Sequence, residues 1–229
     1  MMNDRTIKLI GEDNIKKIQA VHILVVGLGG VGGATVEALV RSGVENITII
    51  DSDKVDTSNL NRQILATKNT INMNKTEVCK QRILEINPKA KVKIYQMFLN
   101  RNTISELEET YDYIIDACDS IDTKVLLIKF ALENHSKIIC SMGTGKRLNP
   151  EKLKISTLNK TYNDPLAKIM RYKIKKAGLS LNVPVVFSEE LPINNDKIVG
   201  SMIFVPSSAG LLLAYYVIND IVNLLYKEM

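Results

Sequence analysis

Residues 21–33 read VHILVVGLGGVGG, and this stretch decides the fold. Its first six residues are a short run rich in β-branched side chains, as a strand buried on both faces requires. Gly27-Leu28-Gly29-Gly30-Val31-Gly32 then satisfies the spacing G-x-G-x-x-G directly after that strand, and residues 31–42 have the apolar spacing of a helix. In such a strand–turn–helix unit the first glycine permits a tight turn. The second lets backbone approach a phosphate, and the third allows close contact between helix and strand. The helix N-terminus adds free N–H groups and a positive dipole end for an anion.

Working outward, Gly43 stops that helix and residues 47–51 (ITIID) read as a second buried strand. The alternation continues with a helix over 74–86 ended by Asn87-Pro88, a strand over 92–98, a short helix over 103–109 and a strand over 113–116. A helix over 122–134 and a strand over 137–141 follow. Strands alternating with helices predict a Rossmann-like, doubly wound α/β fold, with a mostly parallel sheet and helices on both faces. Upstream, residues 4–18 read as two short helical pieces around Gly11.

After Gly145 the rhythm changes: strands are expected over 153–157, 183–188 and 201–205, with a basic helix over 166–177 between the first two. A last helix over 207–225 places Leu211, Ala214, Tyr215, Ile218, Val222 and Leu225 on one face, as packing against a sheet requires. No repeat, low-complexity tract or flexible linker separates the halves. The chain reads as one domain over 1–229, with a nucleotide-binding half over 1–145 and a second half over 146–229 that extends the sheet.

Composition narrows the class. At 229 residues, 45% hydrophobic and 24% charged, the chain suits a globular domain and not a disordered one. The N-terminus mixes Asp4, Arg5 and Lys8 with no apolar stretch, so no secretory leader is expected. The longest apolar stretch, 209–218, is about half the length of a membrane span. Cys79, Cys118 and Cys140 form no C-x-x-C pair, which argues against a disulfide framework and a thiolate zinc site. A cytoplasmic protein without membrane attachment is the expectation. The net charge of +5 is concentrated between Lys160 and Lys176, where six cations face one acid, as a local docking patch for an anion would require.

Asp51 ends the second strand about 20 residues beyond the glycine turn, where a carboxylate can accept ribose hydroxyl protons. These features say nucleotide, and an NAD-dependent enzyme would share them. Arg62 and Lys75 separate the options. Two cations converging on the phosphate end suit a reaction that breaks a triphosphate, because negative charge shifts onto leaving pyrophosphate. Asp116 and Asp119, three residues apart at the end of a buried strand, can both face one hard cation, and Mg²⁺ takes one or two carboxylates plus phosphate oxygens.

The set G-x-G-G-x-G (Gly27, Gly29, Gly30, Gly32), D-x-D (Asp51, Asp53), S-N-x-x-R-Q (Ser58, Asn59, Arg62, Gln63), a following Lys75 and D-x-x-D resembles the ThiF/MoeB/HesA superfamily, bacterial relatives of ubiquitin-activating enzymes. These adenylate a carboxylate with ATP and release pyrophosphate. The resemblance implies that the glycines contact the nucleotide and Asp51, with Asp53 beside it, holds the ribose side. It implies that Asn59, Arg62, Gln63 and Lys75 handle the phosphates and Asp119 the magnesium. Arg5, in a segment resembling one whose arginine reaches into the neighbouring subunit, would act in trans within a homodimer.

In the second half, Lys160-Thr161, Asp164-Pro165-Leu166-Ala167-Lys168, Arg171, Val186-Phe187-Ser188 with Glu190, and the stretch from Gly200 to Gly210 resemble the tRNA threonylcarbamoyladenosine dehydratase branch. The implied activity is adenylation of the threonyl carboxylate of that modified nucleoside, then cyclisation with loss of water. The second half then binds substrate, and tRNA carrying the modification is the partner. Some relatives also have a sulfur-transfer protein as partner. Independently, the basic helix brings Lys168, Arg171, Lys175 and Lys176 to spacings that meet a phosphate backbone, with Lys160, Lys146 and Arg147 as extensions. No cysteine follows Cys140, so a covalent thioester step of the kind used by activators of ubiquitin-fold sulfur carriers has no obvious nucleophile.

Overall fold

The computed structural model describes residues 2–194 and 196–222. Seven strands form one sheet: β1 (His22–Val26), β2 (Asn46–Ile50), β3 (Lys91–Tyr95), β4 (Tyr113–Asp116), β5 (Lys137–Ser141), β6 (Leu153–Thr157) and β7 (Pro184–Ser188). Their spatial order is β3-β2-β1-β4-β5-β7-β6, with every pairing parallel except the edge pair β6–β7. The chain winds outward from β1 through β2 to β3, then returns to place β4 on the other flank of β1. Ligands of open α/β sheets bind at such a reversal, outside the carboxyl ends of the strands. Val26 pairs with both Ile50 and Asp116, and Asp116 with Cys140, so four strand ends are level there.

The helices are α1 (Asp4–Ile10), α2 (Glu12–Ala20), α3 (Gly30–Arg41), α4 (Lys75–Ile86), α5 (Ile121–Glu133), α6 (Pro165–Lys176) and α7 (Phe204–Val222). The period-2 geometry of a strand divides β1 between two cores. Ile23 and Val25 join a cluster with Leu39 and Val40 of α3 and Leu213 and Val217 of α7. Leu24 and Val26 face the opposite cluster with Leu127 and Ala131 of α5. Ile23, Leu24 and Val25 are fully buried, and each such side chain contributes about 1.5–3 kcal/mol. A third cluster seats Ala167, Met170 and Ile174 of α6 against Val185 and Phe187 of β7. Helices thus cover both faces.

Helix α7 is long and apolar enough, by length and composition alone, to cross a membrane, yet 56% of that window is buried inside the molecule. Its buried face packs on α3, where Thr35 Oγ1 donates to the Gly210 carbonyl at 3.2 Å. The helix has a structural partner already.

Three expectations need correction. Residues 201–205 are not a strand: α7 starts at Phe204, and Met202 and Ile203 are partly exposed. An apolar run as short as residues 202–205 carries no period that separates strand from buried helix start, and Pro206 fits the first helical turn because its missing N–H has no intrahelical partner there. The helix expected over 103–109 is a single 3-10 turn, Ile104–Glu106, and the strand expected to reach residue 98 ends at Tyr95. The end expected for the last helix, Leu225, lies outside the described residues.

Candidate active site at the carboxyl edge of the sheet

The turns that follow β1, β2, β3, β4 and β5 surround a cavity of about 610 Å³, within the usual range of small-molecule sites. The glycine turn forms its floor. Gly27 has φ +91°, and a Cβ on Gly32 would lie 1.7 Å from the Gly27 carbonyl oxygen, so no other residue fits at the latter. Gly27, Gly29 and Gly30 line the cavity, whereas Gly32 serves the close packing of helix on turn.

Asp51 is buried beside this turn. Its Oδ2 accepts the Leu28 N–H at 2.6 Å and its Oδ1 the Asp53 N–H at 2.7 Å. Burial pushes its pKa up, against the pull of Lys75 and these two amides. Lys75, only 4% exposed at the start of α4, donates to Asp53 Oδ2 at 2.8 Å. Asn59 sits on a 3-10 turn, Thr57–Asn59, where its Oδ1 accepts the Asp56 N–H at 3.1 Å in a capping box. Arg62 is half-buried and donates from Nη1 to the Ser58 carbonyl at 2.6 Å and to Asn61 Oδ1 at 3.0 Å. Asp51, Asp53, Asn59, Arg62, Gln63 and Lys75 therefore share one cavity wall.

The opposite wall is the turn after β4. Asp119 lines the cavity, is exposed, and takes part in no hydrogen bond or ion pair among the described residues. Asp116 does not share its role as the spacing suggested. It is fully buried and its Oδ2 lies 3.0 Å from Lys124 Nζ, which also donates to the Ser141 carbonyl at 2.7 Å. A buried carboxylate needs a paired cation, and an α5 lysine supplies it. One available carboxylate, Asp119, remains at the cavity; that fits a magnesium ion bound mainly through substrate phosphates, and among the described residues no group of three or more acids, histidines and cysteines surrounds it.

Cys118 Sγ donates to Asp116 Oδ1 at 3.0 Å, and burial followed by the Asp116 charge pushes its thiol far above the ordinary value. Cys79 and Cys140 are buried and pushed up likewise, first by burial. None is a ready nucleophile.

Sequence reasoning missed part of the wall. Met97 and Leu99 after β3 border the Asp51 side, and Gly143, Thr144 and Gly145 after β5 border the Asp119 side. The rule that ligands sit beyond strand ends pointed to the latter, but their turn carries no phosphate-binding spacing. Arg5 does not line its own chain's cavity.

The cationic patch is smaller than expected. Arg147 is 4% exposed, and its guanidinium donates to the carbonyls of Gly145, Asn163 and Glu190. Arg171 is half-buried and donates to Thr161 through Nη1. Both are internal braces, since a partly buried guanidinium satisfies its donors on nearby carbonyls. Lys146 is half-buried and donates from Nζ to the Asp196 carbonyl. Lys160, Lys168, Lys175 and Lys176 remain exposed.

A glycine turn at the foot of the cavity, a buried carboxylate beside it, cations on the same wall and, among the described residues, an unpaired Asp119 opposite define a nucleotide-binding α/β protein. The family model described as ThiF family matches residues 3–159, and the chain belongs to that family. It is 36% identical to the Bacillus subtilis tRNA threonylcarbamoyladenosine dehydratase over 233 residues, 93% of this chain and 92% of that protein. The crystal structure of the Escherichia coli tRNA N6-threonylcarbamoyladenosine dehydratase in complex with ATP superposes with a TM-score of 0.90 at 31% identity, covering 98% of this chain and 95% of that one. A probable molybdopterin-synthase adenylyltransferase of Porphyra purpurea is 39% identical, but over 127 residues, 56% of this chain.

Proposed function

We propose that the protein is an ATP-dependent tRNA threonylcarbamoyladenosine dehydratase. The likeness that runs through the second half, to nearly the full length of the Bacillus enzyme, carries this reading; likeness to the Porphyra adenylyltransferase covers little more than half of the chain. In this reading residues 1–145 bind the nucleotide and residues 146–229 the tRNA.

ATP lies with its ribose at Asp51, its base against Met97 and Leu99, and its phosphates over the glycine turn toward Asn59, Arg62, Gln63 and Lys75. A carboxylate oxygen of the threonyl group attacks the α-phosphorus, the bond to the β-phosphate breaks, and pyrophosphate leaves. Arg62 and Lys75 offset the charge that builds on it. Lys75 must exchange Asp53 for phosphate, which its single ion pair at 2.8 Å allows. Asp119 would hold a magnesium ion there, whose charge would offset that of the phosphates. Arg5 of a second copy reaches the pyrophosphate in a homodimer, and tRNA phosphates meet Lys160, Lys168, Lys175 and Lys176. A cytoplasmic location and an optional sulfur-transfer partner complete the proposal.

Incubating the protein with ATP and tRNA carrying the modification is expected to yield a nucleoside lighter by one water, with AMP and pyrophosphate in equal amounts. Unchanged nucleoside mass refutes the reading. Substituting Cys79, Cys118 and Cys140 together by alanine is expected to leave specific activity within about threefold, because no step uses a thiolate. Loss of turnover in a variant that still melts cooperatively would favour a sulfur-carrier activator instead.

A further inference from the structure

An adenylated substrate needs a hold for its carboxyl group on the side of the α-phosphate away from the pyrophosphate. This inference rests on the dehydratase reading above. Gly143, Thr144 and Gly145 follow β5, the second strand along from the glycine turn, and neighbouring strands lie about 4.8 Å apart. The turn that carries Asp119 lies between them. Among the described residues, the N–H groups of Thr144 and Gly145 donate to nothing, and the Thr144 hydroxyl makes no hydrogen bond. Three donors thus stand without protein partners on a half-exposed stretch of the cavity wall.

The turn is braced from behind by buried charge. The Gly143 N–H donates to Asp164 Oδ2 at 2.9 Å, and Asp164 Oδ1 caps α6 by accepting the Ala167 N–H at 3.1 Å. Arg147 Nη1 donates to the Gly145 carbonyl at 3.1 Å, and Nη2 lies 3.8 Å from Asp164 Oδ2. Asp164 and Arg147 are each only 4% exposed, a costly arrangement to desolvate that fixes both ends of one short turn.

We propose that the turn Gly143–Gly145 is the subsite for the substrate carboxyl group, with Asp164 and Arg147 as its positioning residues. The amides of Thr144 and Gly145 and the Thr144 hydroxyl hold one carboxylate oxygen while the other faces the α-phosphorus. In the second step the carbamoyl oxygen adds to the acyl carbon, the acyl oxygen becomes negative, and the same donors stabilise it. The bond from acyl carbon to AMP oxygen then breaks with its electron pair, and the proton lost by the carbamoyl nitrogen passes through water to the departing AMP phosphate. Because Asp164 caps α6, the helix that presents Lys168, Lys175 and Lys176 is joined directly to this turn.

Thr144→Val and Asp164→Asn test the assignment, with ATP affinity by titration and tRNA-dependent pyrophosphate exchange as readouts. Both variants are expected to bind ATP within about threefold of wild type. The exchange kcat should fall about tenfold in Thr144→Val and about a hundredfold in Asp164→Asn, with the KM for tRNA little changed. Exchange at the wild-type rate in Thr144→Val, or ATP affinity falling in step with exchange, overturns the subsite. Should Asp164→Asn fail to fold, Thr144→Val decides alone, since its hydroxyl has no internal partner to lose. Wild-type protein without tRNA-stimulated exchange would remove the dehydratase reading and this subsite with it, whereas exchange that responds to neither variant removes the subsite only.

Discussion

Asp119→Asn and Arg62→Ala are each expected to lower tRNA-dependent pyrophosphate exchange by about 10²–10³-fold, the size of effect seen when one preorganised charge contact to a transition state is lost. The melting temperature should stay within about 2 °C of wild type, as for substitutions that break no internal network. Asp119 meets that condition because it is exposed and forms no hydrogen bond or ion pair among the described residues. Its amide is nearly isosteric but neutral, so the change removes charge and little else. Arg62 gives up only two contacts within its own loop, to Ser58 and Asn61. Exchange within about threefold of wild type in either variant would strip that residue of its role. A large drop in melting temperature would show that the loss is structural.

The parallel part of the fold is legible because strands covered on both faces are written as unbroken Val/Ile runs, and the glycine turn marks where the first of them ends. Elements without such a signature are less readable. Residues 202–205 are as apolar as a strand, yet α7 begins within them at Phe204, and its buried face packs with α3. In the site, Asp51, Asn59, Arg62 and Lys75 come together although up to 24 residues apart, because β2 and the following loop deliver them to one wall. Charges are the hardest to read, since a sequence does not say which cations are internal. Arg147 and Arg171 belong to a basic stretch by sequence and to carbonyl-bracing networks by structure. Asp116 looks like half of a metal pair until Lys124, eight residues on, is found in the first turn of α5 with its ammonium folded back onto the carboxylate.

That buried pair has the largest expected effect on stability. Lys124 has no exposed surface and neither does Asp116, so Lys124→Met leaves a carboxylate in the core with a thiol and one amide for company. Breaking such a pair from one side costs about 3–5 kcal/mol, a fall of about 10 °C in melting temperature for a chain of this size. Adding Asp116→Asn should recover about half of the loss, because no uncompensated charge then remains. The pH dependence follows from the lysine. Burial is the largest single influence and acts to lower its pKa, but the Asp116 charge, the neighbouring Cys118 and Cys140 and the hydrogen bond to Asp116 together outweigh it and hold the ammonium above the ordinary lysine value of 10.5. A raised folded pKa means that the stabilisation is complete below the unfolded pKa and is lost only as pH climbs through the folded one. In wild type this contribution is therefore constant between about pH 6 and pH 9, whereas in Lys124→Met the unpaired, buried Asp116 carboxyl takes up a proton more readily, so the gap between the two should narrow as pH falls. A gap that stays constant down to about pH 5, or a variant that melts with wild type, would show that the pair does not brace the strand ends. Asp116 Oδ1 also accepts the Cys118 N–H at 3.2 Å and so sets the turn that presents Asp119; the folded fraction of Lys124→Met should accordingly exchange pyrophosphate more slowly than wild type, and the double variant should regain stability before it regains rate.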